Sequence, residues 1–195
     1  MFEAMAVFFG KWTARLKAFS MLAGAWGFLF SVNSLIGFRA WFEYDDGLVY
    51  STPAFKAAEK DQPEAGSPDY WNAVNRSFEY EHTKPAVWLT AWALKVLGVK
   101  IDFFCDRGGE GADNLEASWR KLADDFYFTR TEDQKYRLLE KKRFILYAAP
   151  SDSGIIQARK AGVHPLRLEK SPKSALKFDY TPGKYKERYL PFSAF

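Results

Sequence analysis

The 195-residue chain carries 28 Lys and Arg against 24 Asp and Glu, a formal charge of +4, and 48% of it is hydrophobic. That suits one α/β-sized domain with an appendage, and the basic residues form no dense stripe interleaved with aromatics, which argues against nucleic acid as a partner. One cysteine, Cys105, excludes an intramolecular disulfide, and two distant histidines, His82 and His164, exclude an ordinary zinc site.

Residues 1–17 read as a basic N-terminus, in which Phe2, Met5, Ala6 and Phe9 share one helical face suited to a membrane surface. Ala18 to Phe38 then holds no charge, enough helix at 1.5 Å per residue to cross a hydrocarbon core of about 30 Å. A basic flank (Lys11, Arg15, Lys17) precedes it, but no small-x-small exit follows, so an anchor is the better reading than a cleaved leader. A buried core helix is the other alternative, and the α/β pattern begins only after this segment. Ser20, Ser31, Asn33 and Ser34 are costly against lipid, so a partner helix is expected to meet them beside Gly24 and Gly27. Together with the 18% aromatic content, this predicts other membrane subunits and the bilayer as partners. Positive-inside logic puts residues 1–17 in the cytoplasm and the remainder across a bacterial inner membrane, in the periplasm.

From Arg39 the pattern is α/β. A strand over 37–44 runs into a turn at 45–53, and 56–69 reads as an exposed loop or small cap. Helices are predicted from Asp69, from Pro85 to a stop at Gly98, over 115–126, over 132–141 and over 155–161. Strands are predicted over 99–105, 143–148 and 165–168. The alternation implies a parallel sheet with flanking helices, whose ligands sit at the strands' C-terminal ends. Residues 171–195 form a basic, aromatic arm, either wrapping the domain or docking on protein or anionic lipid.

The segment Phe42-Glu43-Tyr44-Asp45-Asp46, followed by Tyr50-Ser51-Thr52-Pro53, places two acids on one side of a strand end. With residues 67–75, residues 101–108 and Tyr147 to Val163 in order, it resembles the class B acid phosphatases of the haloacid dehalogenase (HAD) superfamily. The resemblance spans residues 39–170 and continues toward the C-terminus. It implies an HAD-like parallel sheet with a small cap, a nucleophilic aspartate, a second acid two residues on, a Ser or Thr, a lysine and a magnesium ion.

Residue by residue the match is incomplete. Glu43 stands at the nucleophile position, Asp45 matches the general acid, and Cys105 replaces the phosphate-binding hydroxyl with Asp106 beside it. Lys135 matches the lysine, while the leading metal acid falls on Ala149 or Pro150. No catalytic residue, cofactor or metal is therefore expected. If the domain is active, Glu43, Asp45 and Lys135 carry catalysis, and Glu43, Asp45 and Asp152 are the residual magnesium candidates. The expected function is a membrane-anchored, catalytically inactive phosphatase-like subunit of a membrane complex. The alternative is an active magnesium-dependent phosphomonoesterase.

Overall fold

The computed structural model describes residues 2–61, 64–129 and 131–195, and for residues 2–10 and 61 the backbone alone. The surface-lying side-chain face expected at Phe2, Met5, Ala6 and Phe9 thus falls outside the described residues.

A single helix, α1 (Phe2–Ile36), contains the whole uncharged run. Gly37 ends it at φ +73, where its N–H reaches the Asn33 carbonyl at 2.9 Å. A glycine takes that left-handed turn without steric cost. Two residues later β1 (Arg39–Glu43) enters the sheet, so helix and domain are joined without a flexible linker. The segment from Lys11 to Ile36 is long and apolar enough to cross a membrane, and its side chains pack on little else.

The domain is a six-stranded parallel sheet in the order β5-β4-β1-β6-β7-β8, built from β4 (Lys100–Cys105), β5 (Asp125–Phe128), β6 (Phe144–Ala149), β7 (His164–Arg167) and β8 (Arg188–Tyr189). Its central strands are apolar on both faces, as a parallel sheet covered by helices requires. Ala40, Phe42, Ile101, Phe103 and Ala148 contribute to the core on one face. Trp41, Phe104, Tyr147 and Ala149 join Ile155 on the other.

Helices α4 (Pro85–Val96), α6 (Glu132–Lys141) and α7 (Asp152–Lys160) agree with the predicted ones to within a few residues. Two regions differ. The predicted helix over 115–126 is α5 (Asp113–Trp119) followed by strand β5. Phe126 and Phe128 stack with ring centroids 6.0 Å apart on one face of that strand, a period of two that a helical reading absorbs. The loop expected over 56–69 is mostly helical at its ends, in α2 (Thr52–Ala58) and α3 (Pro68–Arg76), the latter capped by the Ser67 hydroxyl at the Tyr70 N–H, 3.1 Å. A two-stranded ribbon, β2 (Val49–Tyr50) with β3 (His82–Thr83), completes the small cap.

Residues 171–195 run along the domain. β8 pairs with β7, and buried Arg167 holds Glu187 at 2.8 Å and Asp152 at 2.9 Å. Asn33, expected to need a partner helix, instead donates to the Leu97 carbonyl of its own chain at 2.6 Å, and Ser31 donates to the Gly27 carbonyl at 2.8 Å.

Candidate active site

The C-terminal ends of β1, β4 and β6 meet under the cap at a cavity of about 250 Å³, whose lining includes Glu43, Asp45, Asp106, Ser151 and Lys177 among Phe55, Trp71, Phe104 and Phe178. This is where a parallel sheet gathers chemistry from several strands. Because α1 enters β1 from the opposite end, the cavity lies on the far side of the sheet from the helix.

Glu43 is buried, and its carboxylate is occupied by its own neighbours. Tyr147 Oη donates to Glu43 Oε1 at 2.6 Å and Ser151 Oγ to both oxygens at 3.1 Å. Lys135 Nζ stands 3.7 Å away. Burial raises the Glu43 carboxyl above its ordinary value, against the opposing pull of Lys135, Tyr147 and Ser151. Gly154 makes room for this long side chain: a Cβ there would lie 2.5 Å from Glu43 Oε1 and 2.7 Å from Ala149 Cβ.

Asp45 points to another partner. Arg107, fully buried, grips it through Nε at 3.1 Å and Nη2 at 2.5 Å. The same guanidinium reaches Glu81 at 2.7 Å and Asn75 at 3.3 Å, and lies over the Tyr44 and Phe55 rings. Tyr44 Oη donates to the second Glu81 oxygen at 2.5 Å. Burial raises the Glu81 carboxyl despite Arg107 and Tyr44. A planar fork matched to a carboxylate is the strongest arrangement available to such a pair.

The remaining expected residues divide. Lys135 is brought to Glu43 and to Asp106, also at 3.7 Å, with Glu132 at 3.4 Å and the Phe104 ring beneath it at 4.5 Å. Cys105 is buried in β4, and burial pushes its thiol well up, as for a small apolar core residue. Asp152 is turned away. It accepts the Thr181 N–H at 3.0 Å and pairs with Arg167. Burial alone would raise its carboxyl, but Thr181 and Arg167 outweigh it and hold it below the ordinary value.

Arg107, Tyr147 and Ser151 lie within the motif segments without these partners assigned to them, and Glu81 lies outside those segments. Glu81 lies in a polar stretch between short elements, and no spacing ties it to Asp45.

A magnesium ion needs several hard oxygens free to face it in near-octahedral geometry. Here both Asp45 oxygens accept from Arg107, both Glu43 oxygens accept from hydroxyls, and Asp152 faces Arg167. Among the described residues no three of His, Cys, Asp and Glu are grouped to hold a metal. The donor set, as arranged, does not fit the ion.

Several solved structures share this architecture. A predicted phosphoglycolate phosphatase from Haemophilus somnus superposes with a TM-score of 0.53 at 16% identity, over 80% of this chain and 94% of that one. A haloacid dehalogenase-like hydrolase from Streptococcus pneumoniae gives 0.54 at 14% identity, over 77% and 91%. CbbY from Rhodobacter sphaeroides, in complex with phosphate, gives 0.53 at 13%, over 82% and 95%. The chain has the HAD fold. Among curated sequences, a class B acid phosphatase of Marinomonas sp. is 26% identical over 176 residues, 81% of this chain and 73% of the relative. No family model matches the chain. The HAD fold puts the residues resembling the phosphatase motifs at its strand ends, and there Glu43 and Asp45 are each already partnered within the chain.

Proposed function

We propose that this is a membrane-tethered HAD-fold domain that does not turn over phosphomonoesters and serves as a structural subunit of a membrane complex. One observation carries the first part: both oxygens of Asp45, the expected general acid, accept hydrogen bonds from Arg107. An acid that must hand a proton to a leaving group needs an oxygen free to carry and deliver it. The hydroxyls on Glu43 also stabilise its lone pairs at the position where a nucleophile would attack. Support for the tether is the length and exposure of α1, and Gly24 and Gly27 leave open surface for a second helix to approach.

A second reading, a working phosphomonoesterase, is favoured by Lys135, whose ammonium stands 3.7 Å from Glu43 and from Asp106, both of which line the cavity, as charge neutralisation would need. The detergent-solubilised full chain, assayed with para-nitrophenyl phosphate with and without magnesium, separates the two. The expected result is no turnover above a Glu43→Gln control. Magnesium-dependent turnover abolished by Glu43→Gln would establish the second reading.

A further inference from the structure

The uncharged part of α1, Ala18 to Ile36, is roughly 28 Å long at 1.5 Å per residue. That barely equals a hydrocarbon core of about 30 Å, so a spanning α1 must use all of it. Yet its last turns are not free for lipid on every side. Trp26 Nε1 donates to the Val96 carbonyl at 3.0 Å and Asn33 Nδ2 to the Leu97 carbonyl at 2.6 Å. Gly98 sits so close that a Cβ would meet the Phe30 carbonyl oxygen at 2.6 Å and Ser34 Oγ at 2.9 Å. The C-terminal end of α4 is thus fastened alongside the part of α1 that a span cannot give up.

α4 itself is built for the same environment. Its exposed positions are Pro85, Trp88, Leu89, Ala93 and Val96, none of them polar. A surface helix of a soluble domain carries charged or polar residues on its outer face. Leu89 and Val96 are more than half exposed, at 58% and 51%. Beside the point where α1 leaves the domain, exposed Lys100 and Arg143 bond the Phe38 and Ile36 carbonyls, through the Lys100 N–H and the Arg143 guanidinium.

We propose that α4 is an interfacial helix, embedded in the headgroup and upper acyl layer with Trp88, Leu89 and Val96 against lipid, beside the last turns of α1. The inference rests on the reading of α1 as a membrane span. It lays the domain on the bilayer along the side that α4 covers, since α4 runs from Lys84, bonded to the Asp46 and Glu169 carbonyls beyond the C-terminal ends of β1 and β7, to Gly98 before the start of β4. The occupant of the apolar face is lipid, because the face is continuous with the helix that lipid must surround.

The test uses the full chain in vesicles of phosphatidylcholine and phosphatidylglycerol, with an environment-sensitive fluorophore on a single introduced cysteine and a nitroxide quencher carried by the lipid. Native Cys105 is buried and does not compete for label. Labels replace Leu89, Val96, Leu22 in the middle of α1, or Phe192, which is exposed near the far end of β7. Unchanged near-ultraviolet circular dichroism confirms that each variant is folded. Leu89→Cys and Val96→Cys are expected to be quenched at least about two-fold more than Phe192→Cys, as Leu22→Cys is. Quenching at 22 with positions 89 and 96 behaving like 192 overturns the interfacial helix and leaves the span standing. A blue-shifted but unquenched label at 89 and 96 means that protein covers this face, and also overturns it. No quenching at 22, 89 or 96 overturns both readings, whereas quenching at 89 and 96 alone keeps the interfacial helix and discards the span.

Discussion

Gly154 is the residue on which the arrangement at Glu43 turns. It lies inside α7 with ordinary helical geometry, where replacing glycine by alanine normally stabilises by about 0.5–1 kcal/mol. Here the added methyl would enter the space of Glu43 Oε1 and Ala149. Gly154→Ala is therefore expected to lower stability by about 1–3 kcal/mol in chemical denaturation. Glu43→Asp, which withdraws the carboxylate, should return part of that loss in the double variant. An additive double variant would show that Glu43 is not what fills the gap. Lys84 offers a residue-scale test by pH. Its ammonium is buried, donating to the Asp46 carbonyl at 2.5 Å and the Glu169 carbonyl at 2.9 Å. Burial lowers its pKa to about 8, against the pull of Asp46 and Glu169. Between that value and the unfolded pKa of about 10.4, the unfolded chain binds more protons, so stability rises with pH in this window. Thermal melts from pH 7.5 to 9.5 should show the parent gaining on Lys84→Met as pH rises. A constant difference would mean that Lys84 stays charged in the folded state throughout.

At the scale of elements, α1 and α4 are held together by two side-chain hydrogen bonds and a glycine. Gly98 has φ +84, so Gly98→Ala combines backbone strain with a collision against Phe30 and Ser34. Spin labels at positions 29 and 89 should give one narrow distance distribution in the parent and a broad one in Gly98→Ala, while the sheet melts close to its parental temperature. A distribution as narrow in the variant would mean that other contacts hold α1 in place. This junction also marks how far the sequence could be read. The sheet strands were legible because their apolar runs are bounded by glycine, proline and charge, and α4 because Pro85 and Gly98 bracket it. Strand β5 was hidden, since only four residues at a sheet edge alternate, after a short turn that follows a helix. Glu43 and Asp45 could be placed at the end of β1, and Lys135 on the helix beside them, from the order of the motifs. Their partners could not, because Glu81 and Ser151 reach them through the cap and the α7 cap, whose geometry no sequence period encodes. Asn33 shows the same gap. A polar group in an apolar run signals that it needs a partner, but not that the partner is a carbonyl of the same chain.

On the whole molecule, the C-terminal segment closes what the strand ends leave open. Leu176, Lys177 and Phe178 form one wall of the cavity, and the Ala175 N–H donates to Thr52 Oγ1 at 2.9 Å. The segment is tied back by Arg167, which is fully buried between Asp152 on α7 and Glu187 in the tail and also donates to the Pro150 carbonyl at 2.8 Å. Burial alone would raise Glu187, but Arg167 and the backbone N–H groups around it outweigh burial and hold it below the ordinary carboxyl value. A group depressed in this way contributes stability that is present above its unfolded pKa and lost as pH falls through the folded one. The tail should therefore hold at neutral pH and loosen first under acid, below about pH 4. Glu187→Gln weakens a buried cluster in which Arg167 keeps Asp152 as its counter-ion, and is expected to destabilise by about 1–3 kcal/mol. The measurement is limited proteolysis at pH 7. Cleavage in residues 171–190 should be much faster in Glu187→Gln than in the parent, and parental cleavage should rise toward the variant's as pH is lowered from 4 to about 3 with an acid-tolerant protease. Cleavage that begins elsewhere in the chain would mean that the tail is not the part Arg167 secures. Because the same segment walls the cavity, its release would also open the C-terminal edge of the sheet to water on the side away from α1.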